Sequence, residues 1–325
     1  MKTLMLSVVV SALLTVILGF LFLPLLKRLK IGQPILKYVN EHKDKRGTPT
    51  MGGMFFVLGA IITYIIFNGF SSRLSNLIIA ITLGFLTVGF LDDFIKIKFK
   101  ENKGLTATQK MAFLISISII SSYFSFNTGL NFVYLPFFKT KISLGAFIIA
   151  LNVLVFIATV NSVNLTDGLD GLCASVSVIA FVFFAVIILI QSKEDLYINC
   201  KEYQSVSTFS LCMAGALLGY LVFNTHKASV FMGDTGSLSI GGALSTVAIL
   251  SGNTLYLPVV GVFFLISSLS VIIQVAKFKR TGKRVFLMAP LHHHFQEKGH
   301  SESKITYVYS FITLIIAMLC LINYL

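Results

Sequence analysis

The chain has 325 residues, of which 56% are hydrophobic and 12% charged, with 30 Phe, no Trp, a net charge of +13 and a mean hydropathy of +0.87. Soluble domains carry about 45–50% apolar and about 25% charged residues, so a water-soluble fold is excluded; a disordered chain, which pairs low hydrophobicity with high charge, is excluded too. An all-α, polytopic integral membrane protein remains.

Crossing ~30 Å of hydrocarbon takes about 20 apolar residues in a helix. Ten such runs are expected near 4–26, 51–70, 74–91, 111–126, 142–160, 172–191, 205–223, 237–252, 255–276 and 305–325, and none holds an Asp, Glu, Lys or Arg. The runs are apolar all round, unlike the alternating strands of a barrel. The first is too long for a signal peptide and has no small-residue cleavage pattern before Pro24. Lys27, Arg28 and Lys30 follow it, which by the positive-inside tendency leaves the N-terminus outside. Ten crossings then put 20 of the 26 Lys and Arg in inner loops and bring the C-terminus outside. The basic charge is therefore a topology signal, and no soluble part is left over to bind nucleic acid. Cys173, Cys200, Cys212 and Cys320 show no paired spacing, and there is no internal repeat, so residues 1–325 read as one integral domain.

Ten of the 13 acids fall on the inner face, together with five histidines in its basic loops and His226 in a shorter loop. Opposite charges gathered on one face point to a polar site for an anionic ligand and a metal. In the first inner loop, Lys43, Asp44, Lys45 and Arg46 run into Gly47-Thr48-Pro49-Thr50-Met51-Gly52-Gly53: either a basic turn before a Gly-rich helix start, or a helix start whose free amides meet phosphate. At the inner end of the third run, Asp92 and Asp93 repel each other and face the negative end of the helix dipole. Lys96, one turn on, explains part of this as an ion pair; a divalent cation, such as Mg²⁺ held by carboxylates and phosphate oxygens, explains the rest. Lys110 opens the fourth helix in a position to point back at the acids. The external segment 127–141, with Pro136, fits a hairpin.

After the fifth run, Asn161, Asn164, Asp167, Gly168, Asp170 and Gly171 crowd into eleven residues. Asp167 suits a cap on the sixth helix, but polar groups at this density between apolar helices should line a hydrated pocket. The next inner loop carries Asn224, His226, Phe231, Gly233 and Asp234. Asp234 either caps the eighth helix or supplies a third oxygen ligand, and Phe231 either packs or stacks on a nucleobase. In Pro290-Leu291-His292-His293-His294-Phe295, successive histidines project about 100° apart on a helix and do not converge on one zinc; they suit hydrogen bonds to phosphate.

The segments Gly47 to Gly53, Asp92-Asp93-Phe94-Ile95-Lys96, Asn161 to Gly171, Phe231-Met232-Gly233-Asp234-Thr235-Gly236-Ser237 and Met288 to Phe295, in that order over the whole chain, resemble the polyprenyl-phosphate N-acetylhexosamine-1-phosphate transferases. The first and last point to the muramoyl-pentapeptide branch; Gly299-His300-Ser301-Glu302 departs from it, since that branch more often has Trp and Pro after the glycine. The resemblance implies transfer of phospho-MurNAc-pentapeptide from UDP-MurNAc-pentapeptide to undecaprenyl phosphate, giving lipid I and UMP with Mg²⁺. The setting would be the cytoplasmic face of a bacterial inner membrane, with a homodimer as a possible assembly. It makes Asp92, Asp93 and Asp234 the acidic, metal-binding centre, with Asp234 the leading Mg²⁺ ligand. Lys45, Thr50, Lys96 and Lys110 are placed at phosphates or nearby groups. Asn164, Asp167, Asp170, Asn224 and Phe231 are placed at the uridine part with Gly233 beside them, and His293 and His294 are favoured over His292. Two other readings stay open: a transferase using UDP-N-acetylglucosamine, and a transporter of nucleotide sugars or lipids, although transporters more often place charges near the midplane.

Overall fold

The computed structural model describes residues 2–28, 47–70, 73–99, 104–138, 140–194, 200–322 and 324; the side chains of 193, 194 and 200 are not among them. Its helices are α1 (Lys2–Arg28), α2 (Gly53–Asn68), α3 (Arg73–Phe99), α4 (Ala107–Asn127), α5 (Phe147–Thr166), α6 (Leu172–Glu194), α7 (Cys200–Asn224), α8 (Gly233–Leu250), α9 (Leu257–Val260), α10 (Val262–Thr281), α11 (Leu291–Glu297) and α12 (Glu302–Ile322). Seven of them, α1, α3, α5, α6, α7, α10 and α12, are long and apolar enough to cross a membrane, which makes this a multi-pass, all-α membrane protein. A hairpin of β1 (Phe132–Tyr134) and β2 (Lys141–Ser143), paired antiparallel with Val133 opposite Ile142, joins α4 to α5.

Each apolar run overlaps a helix, with two differences in extent. The ninth is not continuous: a 3-10 turn over Thr254–Tyr256 leads into α9, and α10 restarts after Gly261. Pro258 in the first turn of α9 has no amide hydrogen to continue a ladder from the 3-10 turn, and Gly261 closes α9, its N donating to the Leu257 carbonyl, before α10 begins. The third run extends further than its apolar stretch, to Phe99, so Asp92 and Asp93 lie well inside α3 rather than at its C-terminus.

Lipid tails are as apolar as leucine, so helices in a bilayer are held by close packing and interhelical hydrogen bonds. Helix α1 buries only Ser7, Ser11, Thr15 and Gly19, a stripe of small residues at four-residue spacing, and Leu26 two turns further on. It meets α7 through Gly215 and Gly219, where any side chain would run into the α1 backbone, and Ser11 Oγ donates to the Cys212 carbonyl at 2.6 Å. Helix α8 is the hub: all of its residues except Asp234 are buried, and it packs against α3 and α5. Its N-terminus comes close to α2 and α3 because Gly53 and Gly89 have no side chain to collide with its backbone. The hairpin sits at the far end of α8, where Tyr134 N donates to the Gly252 carbonyl at 2.8 Å.

Candidate active site

At the other end of α8, three helices and two loops converge. The start of α4 is fixed by a capping box: Thr106 Oγ1 accepts from Gln109 N at 3.3 Å and Gln109 Oε1 accepts from Thr106 N at 3.0 Å. Lys110 is thereby aimed across to α8, where its Nζ lies 2.9 Å from Asp234 Oδ2. Lys96 Nζ reaches the same oxygen at 2.9 Å and Asp92 Oδ2 at 2.6 Å. Asn164, near the end of α5, donates from Nδ2 to Asp234 Oδ1 at 2.7 Å and to Ser237 Oγ at 2.8 Å.

Lys96 is shared by all three aspartates, its Nζ lying 3.8 Å from Asp93 Oδ1, but their other partners differ. Asp93 is fully buried and accepts three hydrogen bonds, from Thr235 N at 2.9 Å, Thr235 Oγ1 at 2.7 Å and Asp234 N at 3.2 Å. Met232, at the N-cap of α8, makes no side-chain cap, so an aspartate on α3 caps α8 from outside. Asp92 Oδ1 accepts from Leu105 N at 2.9 Å, an approach that Gly104 permits by resting its bare Cα on the carboxylate. Asp234 is the second residue of α8 and lies ahead of the apolar run at 237. Burial pushes its carboxyl up, but the hydrogen bond with Asp92 and the charges of Lys110 and Lys96 outweigh this and hold it well below the usual carboxylate range. One carboxylate oxygen from each of Asp92, Asp93 and Asp234 lies within 4.8 Å of the others, and all three are hard oxygen donors. Such a set suits a hard divalent cation.

Around this centre, Thr50 is buried with its hydroxyl unpartnered, and it stands beside Gly233, where a Cβ would come 2.6 Å from Thr50 Oγ1 and collide with Asp93. Gly233 also has a φ of +68°, so the position favours glycine on both counts. Asp167 ends α5, and its carboxyl is pushed up to about 8 by burial first and then by the charges of Asp234, Asp93 and Asp170. The next residue, Gly168, faces the histidines of α11: a Cβ there would lie 2.8 Å from His293 Nε2 and closer still to His292 Nε2. His292 is fully buried with both ring nitrogens unpartnered, and burial, then His293, bring it down to about 3, so it is neutral.

Other expected residues lie a step away from the acids. Asn224 spans two loops, its Oδ1 accepting from Gly171 N at 3.1 Å and its Nδ2 donating to the Val230 carbonyl at 2.9 Å. Asp170 accepts from Ala228 N at 3.2 Å and has oxygens or nitrogens of His226 and Glu302 nearby, away from the aspartate trio. Phe231 is partly exposed, and its backbone pairs with Pro49 and Gly52, which ties the loop before α2 to the loop before α8. His294 Nδ1 accepts from Leu287 N at 3.1 Å and so braces the segment before α11. Lys45 lies outside the described residues. The sequence reading passed over Thr235, Ser237, Leu105 and Gln109, which orient the charged groups; only the Thr106-x-x-Gln109 capping signature was open to recognition from sequence.

The class of this membrane-embedded bundle, with acids and lysines gathered at one end, is defined by comparison: residues 75–252 match the model of Glycosyl transferase family 4, and the chain belongs to that family. Within it, the chain is 43% identical to the phospho-N-acetylmuramoyl-pentapeptide-transferase of Clostridium botulinum (strain Alaska E43 / Type E3), over 99% of this chain and 98% of the relative. The enzymes of the same name from Thermoanaerobacter sp. (strain X514) and Geobacillus sp. (strain WCH70) are 43% and 42% identical, over 97% and 98% of this chain and 96% and 97% of theirs.

Proposed function

We propose that this chain transfers phospho-MurNAc-pentapeptide from UDP-MurNAc-pentapeptide to undecaprenyl phosphate, releasing UMP and forming lipid I. The observation that carries this reading is the convergence of Asp92, Asp93 and Asp234 with Lys96 and Lys110 at the end of α8. A lipid phosphate monoester, with a second pKa near ~6, is mostly ionised at neutral pH, so the barrier is repulsion between two polyanions rather than lack of a nucleophile. Lys96 and Lys110 counter that repulsion by trading part of their contact with Asp234 for phosphate oxygens. Asp92 and Asp234, with Asp93 behind them, would hold Mg²⁺, which supplies further charge neutralisation on the diphosphate. Asp92 orients the acceptor phosphate for direct in-line attack, and Thr50, Asn164, Asp167 and the backbone beside Gly233 line the nucleotide side. Asp170, Asn224 and Phe231 shape the uridine pocket from the adjoining loops, and Lys45 extends the phosphate contacts. His293 meets the donor from α11, and His294 supports it by holding the segment before that helix.

The site faces the cytoplasm of a bacterial cell in this reading, with ten crossings, both termini outside and a homodimer as the assembly. Exposed apolar residues along α1 and α12, such as Leu13, Phe20, Phe311 and Leu319, suit lipid contact. The test is UMP release by the purified chain from UDP-MurNAc-pentapeptide and undecaprenyl phosphate, with Mg²⁺ and after chelation. Turnover with UDP-N-acetylglucosamine in place of the muramoyl donor, or a phosphorylated Asp92 trapped without acceptor, would overturn the donor assignment or the direct route respectively.

A further inference from the structure

The side chain of Gln296 connects the histidine helix to α12. His293 Nδ1 lies 3.0 Å from Gln296 Oε1, one turn further along α11, and Gln296 Nε2 donates to Glu302 Oε1 at 3.4 Å. Glu302 opens α12 and is itself anchored: its Oε2 accepts from Asp170 N at 3.2 Å, while Thr306 Oγ1 donates to the Asp170 carbonyl at 3.2 Å. Gln296 is buried at 8% exposure, so its amide has little water to turn toward.

This arrangement restricts where the proton of His293 can be. Both Glu302 oxygens accept hydrogen bonds, one from Asp170 N and one from Gln296, so the Gln296 NH₂ faces Glu302 and its carbonyl oxygen faces the imidazole. A carbonyl oxygen also only accepts, so Nδ1 must carry a hydrogen. In neutral His293 the lone pair is then on Nε2, the atom that faces Gly168. Protonation of Nε2 leaves the Gln296 contact intact, so the same arrangement serves the imidazolium. The excluded form is the neutral ring with its hydrogen on Nε2.

We infer that Gln296 and Glu302 are positioning residues that fix the tautomer and direction of His293, keeping its hydrogen on Nδ1 and turning Nε2 toward Gly168. The inference rests on the transferase reading for its consequence on turnover, but the tautomer itself is independent of that reading. A histidine turned or tautomerised wrongly costs catalysis more than binding, because its hydrogen bond is of most use when charge moves in the reaction.

The test uses the full-length chain in detergent, labelled with ¹⁵N-histidine, with the His293 resonances assigned by their loss in His293→Asn. Long-range ¹H–¹⁵N correlation at pH 8 should show His293 with its hydrogen on Nδ1. Gln296→Leu should shift the population toward the Nε2–H form and lower kcat for UMP release by about 10- to 100-fold, with KM for the nucleotide donor within about twofold. The exchange Gln296→Glu with Glu302→Gln keeps one amide and one carboxylate with an acceptor facing Nδ1, and it should restore both the Nδ1–H signature and most of the lost kcat. If Gln296→Leu does not fold, Glu302→Ala, which frees the amide to turn over, gives the same readouts. An Nε2–H tautomer in the unaltered chain, a tautomer indifferent to these substitutions, or an altered tautomer with unchanged kcat would each overturn the inference. A chain that shows the Nδ1–H tautomer and releases no UMP would leave the geometry standing and sink the proposed reaction instead.

Discussion

Asp93 has the outward features of a catalytic acid, yet its bonding marks it as the cap of α8, and the two roles separate by measurement. Asp93→Ala removes the acceptor from the amides of Asp234 and Thr235 and from the Thr235 hydroxyl, in a place with no solvent to substitute. The hydroxyl can rotate to another acceptor, whereas the two amides cannot. At about 1–3 kcal/mol for each buried donor left unmade, the expected loss is about 2–6 kcal/mol of stability. Taking roughly 2 °C per kcal/mol for a chain of this size, the unfolding midpoint should fall by roughly 4–12 °C. Asp93→Asn, which keeps one oxygen but turns an NH₂ group toward a donor, should lose about 1–3 kcal/mol. With no Trp to report, buried thiols serve: Cys173, Cys212 and Cys320 are buried, and a fluorogenic maleimide reacts with them as the bundle opens. Cys200, whose side chain is not described, is replaced by Ser in every sample. In a double-mutant cycle with Thr235→Val, the two losses should be far from additive. A midpoint for Asp93→Ala within about 1 °C of the parent chain would refute the capping role.

Asp234→Ala should abolish UMP release; retained turnover at saturating Mg²⁺ would count against the role of Asp234. Gly168→Ala places a methyl group against the Nε2 atoms of His292 and His293 and should cut turnover by about 10- to 100-fold, measured as UMP release; wild-type turnover would show that the histidines need not lie there. Asp167 titrates near 8 in the folded chain, against about 4 when unfolded, so its contribution is fully present at low pH and is lost as pH rises through 8. From pH 7 to pH 9 that loss is at most about 1.4 kcal/mol, since the side chain is partly exposed; the maleimide assay should show the slope in the parent chain and a flatter one in Asp167→Asn.

Which segments become helices was largely readable from the sequence, because an apolar run of sufficient length in hydrocarbon must satisfy its own backbone hydrogen bonds; of the ten expected runs, seven described helices are long and apolar enough to cross a membrane. The hairpin around Pro136 was readable for a related reason: a short segment with a proline between two such runs folds back on itself. The break before α10 was less visible, since Pro258 and Gly261 sit in a run whose hydropathy hardly changes. That Asp92, Asp93, Asp234, Lys96 and Lys110 would gather was also suggested by the sequence, since charged groups at the ends of apolar helices need partners.

Tertiary structure decided how these residues divide the work. Adjacent in sequence, Asp92 and Asp93 looked equivalent, but 100° of rotation along α3 sends one to the loop at Leu105 and the other to the N-terminus of α8, with Lys96 near both. The three consecutive histidines part in the same way, one buried without a partner, one held by Gln296 and one bracing Leu287. Composition and hydropathy determine where the chain lies in a membrane, because transfer from water to hydrocarbon is a property of each segment alone. Hydrogen bonds and ion pairs between distant segments depend on which atoms the packed helices bring within about 3 Å, and only the folded chain fixes that.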